Sequence, residues 1–340
     1  MQKKRVLYIG TPIFNYHEQI IAEFEEQGYS VDYYNDRPSE SSWVKGIIKI
    51  KPSMMSSLIQ KYFDKIMSET KRKSYDLVFI VNCKVFTPDM IQELKNSQKS
   101  ARFVLYMWDS LILYPNSSTL IPLFDKAYSF DLEDCNKIEA LNFLPLFYCK
   151  VYEEVGKGSN QVEIKYDIVS ICTAHPNRYK TMRVLFPMLE AKGIRIFSFM
   201  FLNKLQYWYN KAFVKEFKGA KSSEFKFKPL TEKENLDILR KSNSVFDMQH
   251  NSQSGLTMRT IETLGAKRKL ITSNKNIKKY DFYNENNIFV VDEVNWSGIK
   301  QFTKHEYQPV DGDIYRKYSL HNWIEAISTG ARNEYLVGDN

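Results

Sequence analysis

Long apolar runs are missing from this chain. The longest, such as Leu77-Val78-Phe79-Ile80-Val81, have strand length and fall far short of a membrane span. Cysteine is scarce and scattered. Cys83, Cys135, Cys149 and Cys172 show no CxxC spacing, which argues against a zinc site and points to reduced, buried thiols and a cytoplasmic setting. Neither half carries GxGxxG after its first strand. Gly10 stands alone in one, and the loop Thr173–Arg178 of the other has no glycine, which disfavours an ordinary nicotinamide dehydrogenase. Met1-Gln2-Lys3-Lys4-Arg5 looks like the start of a secretion signal, but the apolar run after it stops at Gly10 and meets Asn15, His17 and Glu18. A first strand is expected there rather than a signal peptide. Low-complexity tracts and repeats of solenoid period are absent as well.

What is present suits two folded domains. The 340 residues are long for one core, and 43% hydrophobic with 14% aromatic residues can build two. The net charge of +8, from 48 basic and 40 acidic residues, suits a phosphorylated substrate or an anionic surface. It is modest for a nucleic-acid binder, and neither a helix-turn-helix nor an RNP-type signature occurs, so no nucleic-acid partner is expected.

Strand and helix patterns alternate through the first half. Strands are expected at Arg5–Ile9, Ser30–Tyr34, Asp76–Val81, Arg102–Met107, Lys126–Ser129 and Phe143–Phe147, with helices at Tyr16–Gln27, Ser56–Thr70 and Thr87–Asn96. The polar stretch Glu153–Asn160 then reads as a linker. Beyond it the alternation resumes with strands Tyr166–Cys172 and Arg195–Met200 and helices Lys180–Ala191 and Leu202–Phe217. A capping box at Thr231–Glu234 opens a further helix, Val245–Met248 and Ile288–Val291 read as strands, and Ile314–Ser328 closes the chain as one helix. The fold class is α/β. Residues 1–150 form one domain, 151–164 a linker and 165–312 a second domain, with 313–340 a terminal helix and tail packing back toward the first.

In open α/β sheets ligands bind beyond the carboxyl ends of the strands, so chemistry is sought just after strands. The segment Gln253-Ser254-Gly255-Leu256-Thr257-Met258-Arg259-Thr260-Ile261-Glu262 is the richest, a polar loop leading into a helix start. Small and hydroxylic residues there let an anion approach unpaired backbone N–H groups. An ordinary hydroxyl-capped surface helix fits the same residues. Glu262, about two turns on, can accept hydrogen bonds from sugar hydroxyls. Thr173, His175 and Arg178 lie in the loop after the first strand of the second half, and Lys228 follows the alternating Phe225-Lys226-Phe227. Arg178 and Lys228 are candidate phosphate partners, or solvated surface cations. His17 and Asp109, after strands of the first half, are candidate general bases. A structural histidine and a capping carboxylate are the alternatives. Asp311-Gly312-Asp313 has the look of a metal-holding pair but sits in a polar turn. Trp43–Lys51 and Leu202–Lys218 mix basic with apolar residues, as a packed helix with solvated lysines does, or one resting on an anionic membrane.

On the strength of Thr173–Arg178, the helix from Thr231, Gln253–Glu262 and Leu270-Ile271-Thr272-Ser273-Asn274, the second half resembles the donor-binding half of bacterial GT-B glycosyltransferases. Within them it is similar to the group that builds capsular and lipopolysaccharide chains. The resemblance implies two Rossmann-like domains in GT-B architecture, facing each other across a cleft. It also implies a nucleotide-sugar donor held by the second domain, a glycan or lipid-linked glycan acceptor held by the first, and no cofactor or metal. It implies that Glu262 binds the nucleotide ribose and that Ser254, Gly255, Leu256 and Thr257 face the diphosphate, with Arg178 and Lys228 neutralising it. Many retaining members carry a second glutamate where this chain has Ser254, so retention or inversion stays open. The implied activity is metal-independent sugar transfer in the cytoplasm, with peripheral contact at the inner membrane face. A nucleotide-sugar epimerase and a non-catalytic basic protein binding membrane or nucleic acid are the alternatives.

Overall fold

The computed structural model describes residues 3–41, 55–158, 162–249, 254–291, 296–331 and 333–337. Among them strands run at Lys4–Ile9 (β1), Tyr29–Tyr34 (β2), Leu77–Val81 (β3), Arg102–Met107 (β4), Lys126–Ser129 (β5), Leu141–Phe143 (β6), Tyr166–Thr173 (β7), Ile196–Phe201 (β8), Ser242–Asp247 (β9), Lys269–Thr272 (β10) and Ile288–Val290 (β11). Helices lie at Tyr16–Glu26 (α1), Ser56–Thr70 (α2), Pro88–Ser97 (α3), Leu132–Lys137 (α4), Lys150–Lys157 (α5), Pro176–Glu190 (α6), Lys204–Phe213 (α7), Glu232–Arg240 (α8), Met258–Gly265 (α9), Ile299–Lys304 (α10), Gly312–Lys317 (α11) and Leu320–Thr329 (α12). The chain divides into two compact units, one of Met1–Leu146, Ser252–Gly255 and Leu320–Tyr335, the other of Phe147–Asn251, Leu256–Ser319 and Leu336–Asn340.

The first unit is built on a six-stranded parallel sheet in the order β2-β1-β3-β4-β5-β6. Every residue of β3 is buried, as a central parallel strand covered on both faces requires. Leu7, Ile9, Val78, Ile80 and Leu105 of the sheet pack with Ile59, Phe63 and Ile66 of α2. Elsewhere in the unit Trp323 of α12 meets Tyr106 at 4.8 Å and Phe79 at 5.7 Å between ring centroids. The chain leaves β1 toward β2 and returns to β3, so the topological switch lies between β1 and β3.

The second unit holds a five-stranded parallel sheet, β11-β10-β9-β7-β8, with its switch between β7 and β9. Both units are Rossmann-like, as expected for the GT-B architecture. Thr231 caps α8 by accepting from the N–H of Glu234, whose carboxylate accepts from Thr231 N at 2.8 Å, the reciprocal box read in the sequence.

Several expectations need correction. The stretch 151–164 is not loop throughout: Lys150–Lys157 is helical. Its Glu153, Glu154 and Lys157 form a solvated face, with Lys157 3.1 and 3.0 Å from the two carboxylates, while Tyr152, Val155 and Gly156 are buried. A one-turn polar face on a short amphipathic helix imitates linker composition. Gly156 and Gly265 let α5 and α9 approach closely, since a Cβ on Gly156 would stand 2.9 Å from the Gly265 carbonyl oxygen. The terminal helix is two helices. The break falls where the carbonyl of Tyr318 accepts from Tyr148 N at 2.8 Å and Ser319 bridges Tyr148, a pairing that a continuous helix could not offer. Phe225–Phe227 contributes only a single bridge, Phe201 to Lys226, and not a strand. The last strand of the first sheet is Leu141–Phe143, earlier than Phe143–Phe147, because Leu141 and Phe143 pair with Ala127 and Ser129. Helix α6 starts at Pro176 rather than Lys180, since proline is well placed in a first turn. Asp311 is the N-cap of α11, accepting from the N–H groups of Asp313 and Ile314, rather than part of a turn. The segment Trp43–Lys51 lies outside the described residues.

Candidate functional site

The switch between β7 and β9 is where an open sheet leaves a crevice at its carboxyl edge. Arg178, in the first turn of α6, reaches across it. Its Nη1 donates to the Thr173 carbonyl at the end of β7 at 3.1 Å, and its Nη2 donates to the Met248 carbonyl just past β9. Nε is buried with no partner among the described residues, an uncommon state for a guanidinium N–H. Asp247, the last residue of β9, lies 3.9 Å from the guanidinium. Its Oδ2 accepts from Thr257 Oγ1 at 2.5 Å and from Thr260 Oγ1 at 3.4 Å.

Thr257 is the N-cap of α9 and accepts from Thr260 N at 3.1 Å. The helix start is therefore stitched to the strand end, and Arg178, Asp247 and Thr257 form one connected group. A cation and a helix N-terminus at one strand edge can receive an anion. The Asp247 carboxylate offsets part of that positive charge and holds both donors in place. Beside it, Gln249 N donates to Ser273 Oγ at 3.1 Å, joining the ends of β9 and β10.

The other face of α9 carries a buried polar cluster. Glu262 has a side chain 4% exposed, with Arg259 3.2 Å away. Arg259 Nη1 donates to Asn235 Oδ1 of α8 at 3.4 Å, and Asn235 Nδ2 stands 3.5 Å from the Tyr152 hydroxyl of α5. Burial first and the Glu262 carboxylate second push the Tyr152 hydroxyl well above its ordinary value, so it stays a donor. The glutamate joins three helices whatever else it binds.

Thr173, Arg178 and Thr257 are thus brought together. His175 is exposed at the N-cap of α6, and Leu256 is buried. Lys228 is exposed, and no contact among the described residues ties it to the group. Gln253 lies outside the described residues. Ser254 and Gly255 group with the first unit. The Ser254 hydroxyl donates to Asp131 Oδ1, its backbone N–H donates to Asp131 Oδ2 at 3.2 Å, and a Cβ on Gly255 would stand 2.6 Å from the Phe130 ring. Burial alone would raise the Asp131 carboxyl, but bonds from Ser110 and Ser254 outweigh it and hold it below the usual range. With a carboxylate already on it, the Ser254 hydroxyl is committed.

In the first unit, Asn82 ends β3 in the left-handed region at φ 62°, followed by Cys83 at φ 50°. Asparagine tolerates that region better than most residues. Its Oδ1 accepts from Trp108 N at 2.7 Å and Asp109 N at 3.2 Å, and its Nδ2 donates to Asp109 Oδ2 at 3.0 Å. Lys84 adds an ion pair to Asp109 at 3.4 Å. Asp109 is therefore a positioned carboxylate at the end of β4. His17, in the first turn of α1, is half-buried with Nδ1 without a partner among the described residues, its ring 5.4 Å from that of Tyr33. Among the described residues no hydrogen bond or ion pair joins His17 to Asp109.

Sequence reading missed Asp247, Asn82 as a positioning group, Asp131 as the partner of Ser254, and the Arg259 pair. Asp247 had a visible signal, an acid closing an apolar strand. The Arg259 pair is an i,i+3 contact on one helix, visible in the spacing, whereas the Asn82 and Asp131 roles depend on contacts between distant segments. Among the described residues no disulfide joins the cysteines, and burial pushes the Cys83, Cys135 and Cys172 thiols upward, which keeps them protonated. Among the described residues no helix is long and apolar enough to cross a membrane, and no three His, Cys, Asp or Glu side chains form a metal-holding group.

No protein-family model matches the sequence, and no curated protein matches it. Solved structures do match over nearly the whole chain. An α-glucosyltransferase in complex with UDP and a 13-mer DNA is 13% identical with TM-score 0.61, covering 96% of each chain. Anabaena Alr3699/HepE, in complex with UDP and glucose, is 12% identical with TM-score 0.55, covering 96% of this chain and 100% of that one. A glycosyltransferase from Rickettsia africae ESF-5 is 13% identical with TM-score 0.52, covering 98% and 100%. At such identities the likeness is one of fold.

Proposed function

We propose that this protein is a glycosyltransferase, moving a sugar from a nucleotide-sugar donor held by the second unit to a hydroxyl of an acceptor held by the first. The observation that carries the reading is the convergence of Arg178, Thr257 and the α9 N-terminus at the β7–β9 switch. There the donor's diphosphate meets a guanidinium and backbone N–H groups, which stabilise the charge that grows on it as the glycosidic bond breaks. Glu262 accepts from the ribose hydroxyls, and Lys228, exposed, adds charge to the diphosphate. Asp109, oriented by Asn82 and Lys84, or His17 takes the proton of the acceptor hydroxyl in an inverting reaction. The reaction takes place in the cytoplasm without a metal, and its acceptor is a growing surface glycan of the capsular or lipopolysaccharide kind. Two similar structures hold UDP, so UDP-sugars are the first donors to try.

The test is release of nucleoside diphosphate from a panel of nucleotide-sugars, with and without glycan acceptors. One donor is expected to turn over, faster with acceptor than without. Isomerised donor formed without acceptor would instead make the protein an epimerase, and no consumption of any donor would reject sugar transfer.

A further inference from the structure

Helix α7 begins at an Asn203 cap that accepts from Gln206 N at 2.7 Å, and only one side of it is packed. Tyr207 and Asn210 are buried on that side, the Tyr207 hydroxyl donating to the Ala220 carbonyl at 3.3 Å and its ring lying 5.6 Å from Phe225. On the opposite side Leu205, Trp208, Tyr209 and Phe213 are 86%, 65%, 62% and 76% exposed. Their spacing of i, i+3, i+4 and i+8 sets them on one stripe, an arc of roughly 140° at 3.6 residues per turn. Four large apolar side chains held together in water on a folded helix mark an interaction surface.

We propose that this face of α7 docks flat onto the headgroup region of an anionic lipid bilayer. Charge selects that occupant. The helix carries no acidic residue, Lys204 and Lys211 lie along one edge of the stripe, and Lys215 and Lys218 follow it with Glu216 the single acid among them. A second copy of the chain laid on this face would bring like charges together, whereas an anionic surface meets them with opposite charge. Tryptophan and tyrosine beside leucine and phenylalanine is the composition favoured at the boundary of headgroups and acyl chains. Lys211 Nζ lies 5.6 Å from the Trp208 ring centroid, so cation and aromatic reach the surface together. The inference rests on α7 alone and holds whether or not the protein transfers sugar.

The test is sedimentation of the full chain with vesicles of phosphatidylcholine alone and of phosphatidylcholine mixed with phosphatidylglycerol. Binding is expected to the anionic vesicles only, and to weaken as salt shortens the screening length. The double variant Leu205→Gln/Phe213→Gln removes two apolar contacts and should lower the partition coefficient about tenfold or more. Lys204→Glu/Lys211→Glu should lower binding to anionic vesicles by about tenfold or more. Both should melt at the wild-type temperature, since the altered side chains are exposed. Equal binding by wild type and variants would overturn the proposal. So would absence of vesicle binding, or a dimer in solution that Leu205→Gln/Phe213→Gln converts to monomer without any vesicle effect.

Discussion

Replacing Arg178 by alanine is expected to weaken binding of UDP by about 2 kcal/mol, roughly 30-fold, the scale of a hydrogen bond to a charged group. The guanidinium sits at the β7–β9 switch with two N–H groups on the Thr173 and Met248 carbonyls, Nε without a partner among the described residues and Asp247 at 3.9 Å. That ion pair is loose, so a diphosphate arriving at the crevice finds a cation that is positioned but not saturated. Arg178→Lys keeps the charge and loses the planar fork, and an intermediate affinity is expected. Calorimetric titration with UDP reads both variants. Affinity unchanged in Arg178→Ala would remove this residue from the site.

The second large effect concerns Glu262. Glu262→Ala leaves Arg259 in the helix cluster without its carboxylate, and breaking such a pair costs about 3 kcal/mol. That corresponds to roughly 6–12 °C in the melting of a unit of this size. Loss of nucleotide binding is expected in the same variant, so one substitution cannot separate the two roles. Glu262→Ala combined with Arg259→Met removes the orphaned charge along with the carboxylate. Stability should then recover most of its loss, while UDP affinity stays low because the ribose acceptor is still missing. Recovery of both would make Glu262 a structural residue only.

Much of the fold is legible in the sequence because parallel strands announce themselves as short, continuous apolar runs. Ser56–Thr70, Arg102–Met107 and Lys126–Ser129 have in the structure the bounds their sequence pattern predicts, for that reason or for clear helical periodicity. The helix Lys150–Lys157 was hidden because eight residues give too few turns for its period to stand out from a polar linker. The terminal helices merged because their break depends on a bridge to Tyr148, far away in sequence. At the site, a residue placed by its own strand or cap could be read directly. Arg178 and Thr257 stand where their elements put them. Ser254 could not be read so, because its partner is Asp131, more than a hundred residues earlier. Glu262 is different, since the arginine three residues earlier that claims its carboxylate stands on the same helix at a spacing the sequence shows.

The central claim is that the crevice at Arg178, Asp247 and Thr257 binds the diphosphate of a nucleotide. Titration of the full chain with UDP and with UMP under the same conditions tests it most directly. UDP should bind at least about tenfold more tightly than UMP, the difference of one more phosphate on a guanidinium and a helix N-terminus. Equal affinities for the two, or no binding of either, would contradict it.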